Sequence, residues 1–205
     1  MTTSFKSSYL LIFLSVIFTC NIYGQDWKFI KEKDGIKIYT RNSEDNPIKS
    51  FRGEATINTS MEKISRIIGR IESFEWWDED VSEIKVLEYE EEKIIKYYLV
   101  YDVPWPLDDR DLCVLAEITN DTVNGTRTVY SKALPGVVPE QSGKVRITNY
   151  WQKWVITPGG PGKLNVVLEG SVDPAGAIPS WIVNMVITDT PMNIITKVRE
   201  QVGKL

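Results

Sequence analysis

The sequence predicts an α+β fold in which a strongly curved antiparallel β-sheet wraps around one long C-terminal helix. Residues 81–173 read almost entirely as short alternating strands divided by turn signals, the mark of an antiparallel meander. Residues 178–202 switch to helical spacing of their apolar positions. A hairpin, a third strand and a helix precede both, so the order of elements suits one sheet gripping one long helix.

Residues 1–24 stand apart from that fold. Lys6 lies in a short polar start, and YLLIFLSVIF (9–18) is an uncharged apolar run. It is too short for the ~20 residues that span a bilayer. The stretch reads as a secretory signal cut after Gly24, which would send a domain of residues 25–205 to the periplasm or out of the cell. The rival reading, a lipid anchor on Cys20, is disfavoured by Thr19 in place of Gly, Ala or Ser. With the signal removed, Cys113 has no cysteine to pair with, so packing must hold the fold.

WKFIKEKDGIKIYTR (27–41) sets Lys33-Asp34-Gly35 between two alternating runs and reads as a β-hairpin. IKSFRGEATIN (48–58) puts Phe51, Gly53, Ala55 and Ile57 on one face of a third strand. Ser60 is a good N-cap for a helix carrying Ile64, Ile67, Ile68 and Ile71 at helical spacing. SFEWWDE (73–79) follows as a short helix or turn. Strands are then expected at 81–89, 94–103, 110–119, 126–133, 144–156 and 164–172, with turns at Asn124-Gly125, Ser142-Gly143 and PGGPG (158–162). In the last segment Pro179 suits a first helical turn. Trp181, Ile182, Met185, Ile194, Ile195, Val198 and Val202 make a rough apolar stripe. Pro191 interrupts it, so a long helix should bend, or two helices meet, at that point.

The chain of 205 residues is 42% hydrophobic and 25% charged with net charge −4, ordinary for a globular domain. That balance offers no polybasic surface for nucleic acid or anionic membranes. Histidine is absent. The commonest general base and metal ligand are therefore missing, and an enzyme would have to work with carboxylates, Tyr, Lys or Arg.

The densest cluster of charge is DDRD (108–111), between a Pro-Trp-Pro corner and an apolar strand. Its carboxylates could offer hard oxygen ligands. They do not share a helical face, however, and Arg110 competes as a cation, so no metal is expected. Asp108 and Asp109 suit a turn. Strand parity points Arg110, Leu112, Val114, Ala116 and Ile118 inward and Cys113, Leu115 and Glu117 outward. On the preceding strand Tyr97, Leu99, Tyr101 and Val103 share the inward face. Arg110 then lies at the rim of an apolar face, where a guanidinium is costly unless paired. Two partners stay open for it: Asp111, in a structural ion pair, or the polar head of a ligand.

DGIKIYTR, KSFRGEATI, YDVPWPLDDRD, SGKVRI and VDPAGAIPSWIVN match one family in order. From residue 27 to about 202 the chain resembles the START domain, the steroidogenic-acute-regulatory-related lipid-transfer domain with a helix-grip fold, in a bacterial secreted-type member. The resemblance implies a lipid or sterol-like hydrophobic small molecule held in a tunnel between sheet and C-terminal helix, for transfer or sensing, without catalysis or cofactor. Tyr97, Leu99, Tyr101, Leu112 and Val114 would line its sheet side, and Ile182, Asn184 and Met185 its helix side, with Arg110 at the head group. Trp181 is expected in the core and Cys113 outward and inert. Transient membrane contact and a monomeric state are expected, and nucleic acid is not. Two other readings stand beside this one: a cyclase- or hydrolase-like helix-grip enzyme, and an interaction domain with a filled core. Cavity volume separates the last from a ligand carrier. The secretory signal departs from the cytosolic, membrane-shuttling members of the family.

Secreted material is expected to begin at Gln25 when its intact mass is measured. A product retaining Met1, or one acylated at Cys20, would overturn that reading of the first 24 residues.

Overall fold

The computed structural model describes residues 26–43, 45–69 and 81–205. Residues 1–24, Ile71 and SFEWWDE lie outside the described residues. The hairpin forms as β1 (Lys28–Lys33) and β2 (Ile36–Arg41), followed by β3 (Ser50–Asn58). Asp34 and Gly35 turn the hairpin with φ of 52° and 67°. Asp and Gly are among the residues that tolerate this left-handed conformation best. α1 (Met61–Ser65) starts where expected, with the Ser60 hydroxyl accepting from Lys63 N at 3.3 Å. It buries Ile64, and Ile67 and Ile68 follow it into the core.

The meander follows as β4 (Val81–Glu90), β5 (Ile94–Tyr101), β6 (Asp109–Asp121), β7 (Thr126–Ala133), β8 (Lys144–Arg146), β9 (Tyr150–Pro158) and β10 (Lys163–Val172). The ten-stranded sheet runs β1-β2-β3-β10-β9-β7-β6-β5-β4, so the first hairpin and β3 join the meander through β10. The neighbours along this path are antiparallel. One expectation is corrected here. Residues 144–156 do not form one strand. β8 pairs parallel with β6, placing Arg146 opposite Asp111, and a turn separates it from β9.

The last segment forms two helices, α2 (Ser180–Val186) and α3 (Asp189–Lys204). The break falls at Ile187–Thr188, just before Pro191 rather than at it. Pro191 sits in the first turn of α3, where its missing N–H forfeits no intrahelical bond. α3 buries Pro191, Ile195, Val198 and Val202, and packs on β2, β3 and β10. At roughly 1.5–3 kcal/mol per buried aliphatic side chain, this face anchors the helix. α2 buries no residue fully, and its N-cap Pro179 makes no side-chain cap bond. Trp181, expected in the core, is 65% exposed on it.

The core fills the concave face of the sheet with Ile36, Ile38, Phe51, Leu99, Leu112, Trp154, Ile156, Val166 and Leu168, among others. A smaller cluster lies on the convex face, where Tyr98, Val100 and Cys113 pack with Leu87, Leu134 and Val138. Cys113 does point to the outer face, as parity required, but the chain after β7 folds over it and buries it.

The approach of α3 to the sheet depends on a missing side chain. A Cβ at Gly53 would stand 2.7 Å from Ile195 Cδ1 and 3.0 Å from Pro191 Cβ. Gly53→Val should therefore cost about 1–3 kcal/mol in urea denaturation by overpacking this contact. Gly203→Ala, with nothing within 4 Å of the added carbon, should cost nothing.

Candidate functional site

Between the concave face and the two C-terminal helices lies a cavity of about 620 Å³. Parity on β5 and β6 supplies one wall, with Tyr97, Leu99, Tyr101, Arg110 and Leu112. Ile182 from α2 and Ile194 from α3 face it from the helix side. Six of the residues expected at the site thus come together here: Tyr97, Leu99, Tyr101, Arg110, Leu112 and Ile182.

Three do not. Val114 is on the same face but is buried in the core away from the cavity wall. Met185 is 64% exposed on the outer side of α2. Asn184 makes a clasp instead: its Oδ1 accepts from Lys49 N at 2.8 Å and its Nδ2 donates to Pro47 O at 2.9 Å. It ties α2 to the segment entering β3. The sequence reading missed Tyr150, Gln152 and Trp154 of β9 and Ser171 of β10, which also line the cavity. Tyr150, Gln152 and Trp154 alternate as inward strand residues should. What the sequence did not show was that β9 and β5 approach the same space.

The expected ion pair between Arg110 and Asp111 is not formed. Adjacent strand residues point to opposite faces, which separates the two. Asp111 is 1% exposed on the outer side and pairs with Arg146, its Oδ1 receiving Nε at 2.7 Å and its Oδ2 receiving Nη2 at 2.8 Å. The Tyr98 hydroxyl donates to the same carboxylate at 3.1 Å. Burial alone would raise the Asp111 pKa, but the hydrogen bonds and charge of Arg146 outweigh it and hold the carboxyl below its ordinary range. Burial and the facing carboxylate push Tyr98 up to about 12.

Arg110 is 4% exposed and points inward. Its Nε donates to Pro174 O at 3.2 Å, its Nη1 to Asp108 O, and its Nη2 makes a longer contact to Ala175 O at 3.5 Å. The guanidinium thereby ties the β5–β6 corner to the loop that enters α2. Asp109 is not a plain solvated turn residue, because its Oδ1 accepts from Val103 N at 3.1 Å. The carboxylates of DDRD therefore diverge, with Asp109 closing the corner and Asp111 on the outer face. Among the described residues, no three acidic or cysteine side chains gather as a metal site would require.

A model of the START domain matches residues 23–205. The chain belongs to the START domain family. An uncharacterized protein of Pseudomonas aeruginosa is 30% identical to it over 184 residues, covering 90% of each chain. The phosphatidylcholine transfer protein of Mus musculus is 25% identical over 78% of this chain and 76% of its own length. Among solved structures, the STAR-related lipid transfer protein of Xanthomonas axonopodis superposes with a TM-score of 0.78 at 28% identity, covering 86% of this chain and 98% of that one. The large curled, unclosed sheet with its C-terminal helix is the START helix-grip fold.

Losing either member of the buried pair strands the other, which typically costs about 3–5 kcal/mol. Asp111→Asn should lose about that much by urea denaturation, and Asp109→Ala only about 1 kcal/mol. The sign with pH follows from the depressed Asp111 pKa. Its stabilisation is present above the unfolded carboxylate value, ~3.9, and is lost as pH falls through the lower folded value. Asp111→Asn should flatten that acid limb of the stability curve.

Proposed function

We propose that this START domain binds a lipid or another hydrophobic small molecule in the cavity between the sheet and α2–α3, and transfers or senses it. The cavity itself carries the reading. Its volume, about 620 Å³, falls in the range of about 300–1,000 Å³ typical of small-molecule sites. Its wall is mostly apolar, and a bound apolar molecule would remove that wall from water, which favours a carrier over an interaction domain with a closed core. Two relatives, a phosphatidylcholine transfer protein and a STAR-related lipid transfer protein, support the same class of ligand.

An enzyme finds less support. Burial raises the pKa values of Tyr97 and Tyr150, so both are neutral hydroxyls at physiological pH and not bases. Asp189, at the helix side of the cavity, is paired with Lys31 at 2.9 Å.

The apolar rim supports transient membrane contact. Trp105 at the β5–β6 corner is 92% exposed, and Trp181, Met185 and Val186 are exposed on α2. Arg110 ties the corner that carries Trp105 to the loop that enters α2 by its bonds to Asp108 O and Pro174 O. Such amphipathic aromatics suit the interface of a bilayer. With residues 1–24 acting as a secretion signal, the work would be done by a monomer outside the cytoplasm.

Native mass spectrometry of the purified protein should show one bound hydrophobic molecule per chain, identifiable after extraction. Leu99→Trp, which crowds the cavity from its sheet wall, should weaken binding with folding retained. A protein that takes up nothing from lipid vesicles, or a Leu99→Trp variant that binds its ligand as tightly as the native chain, would overturn the reading. Trp105→Ala combined with Trp181→Ala should slow lipid movement between vesicles several-fold while the bound fraction stays unchanged.

A further inference from the structure

The cavity wall carries a cluster of phenols. Tyr97 and Tyr101 stand four residues apart on β5, on the same face, and Tyr150 begins β9. All three line the cavity. Tyr150 lies one residue beyond the pairing of β9 with β7, which ends at Lys132 opposite Trp151. The phenols of Tyr97 and Tyr150 lie close enough to each other and to Tyr101 to influence one another's ionisation. The Tyr150 hydroxyl donates to Gln152 Oε1 at 3.4 Å. Neutral hydroxyls and a carboxamide therefore gather on one part of an otherwise largely apolar wall.

Charge is handled differently. Arg110 lines the same cavity but gives each of its three nitrogens to a backbone carbonyl of the rim. An anionic head moved among the phenols would lose its hydration and gain neutral donors, a poor exchange for a buried ion. A hydroxyl or carbonyl would exchange one neutral hydrogen bond for another, at little net cost. Size narrows the class further. A volume of about 620 Å³ is of the size that takes one drug-sized molecule, so one chain or one ring system with a small polar end suits it.

We propose that Tyr97, Tyr101 and Tyr150 form the subsite for the polar end of the ligand, and that it selects a single-chain or ring lipid whose polar end is an uncharged hydroxyl or carbonyl. The inference rests on the cavity binding a lipid at all. It goes further by naming the ligand's charge, size and point of attachment.

Three probes with the same sixteen-carbon tail test it: hexadecanol, palmitate and hexadecylphosphocholine. Each is titrated below its aggregation concentration against the purified protein, with binding followed by the fluorescence of the cavity-lining Trp154 and by native mass spectrometry. Hexadecanol should bind at least tenfold more tightly than the two charged probes. Tyr97→Phe and Tyr150→Phe, which keep the ring and remove the hydroxyl, should each weaken hexadecanol about five- to tenfold, with palmitate unaffected. Unchanged melting temperatures would show that the variants remain folded, and Tyr101→Phe gives an independent third reading. Arg110 and Lys197 are cations that line the cavity, and tighter binding of palmitate, lost in Lys197→Met or Arg110→Leu, would overturn this inference and leave the lipid-binding reading standing. So would a two-chain phosphatidylcholine that binds more tightly than all three probes. Failure of every lipid to bind would remove both.

Discussion

β6 begins with two opposite charges on adjacent residues, and the alternation of a strand sends them to opposite faces of the sheet. Asp111 goes outward to Arg146 and fixes β8 alongside β6 in a parallel pairing. Arg110 goes inward to the carbonyls of residues 108, 174 and 175. One end of one strand thereby anchors both the strap over the convex face and the loop that delivers α2 to the cavity. The two ties differ in kind. The outer one is a charge pair sealed from water; the inner one keeps its positive charge and satisfies carbonyls. A buried ion pair of this sort contributes geometry more than net stability, since desolvation offsets much of its attraction.

The concave face divides between structure and site. α3 seats its apolar stripe against β2, β3 and β10, made possible by the absent side chain at Gly53. Toward the other end the helices stand off the sheet, and the space between is the cavity. The element over that space is the less firmly held one. α2 has no fully buried residue and is fastened by the Asn184 clasp and, through its approach loop, by Arg110. Short elements held by few buried contacts are the ones that open at low free energy. The weakly held element, which carries the exposed Trp181, thus lies over the cavity, and the firmly packed one over the core.

How much of this was legible in the chain can be judged residue by residue. Alternation alone assigned Tyr97, Leu99, Tyr101, Arg110 and Leu112 to the inner face, because the side-chain period of a strand is a local property. The Asp34-Gly35 turn and the Ser60 cap were legible for the same reason: their chemistry acts within a few residues. The motifs from DGIKIYTR to VDPAGAIPSWIVN carried the family, which the match over residues 23–205 confirms. Met185, Trp181 and Asn184 were misplaced because one apolar stripe was drawn through 178–202. The break at Ile187–Thr188 separates two helices and resets the helical phase, so α2 shows a different face from the one extrapolated.

What the sequence by itself determined was therefore the set of elements, the inward and outward face of each strand, and the kind of fold they build. Only the tertiary structure decided the partners. Asp111 found Arg146, 35 residues away, in place of its neighbour Arg110, because strand geometry forbids the nearer pair and β8 brings the farther one alongside. Tyr150 came to line the same cavity as Tyr97 because the curled sheet brings β9 and β5 around one space. Contacts of this kind depend on where strands end and which neighbours they take, and no local period encodes either.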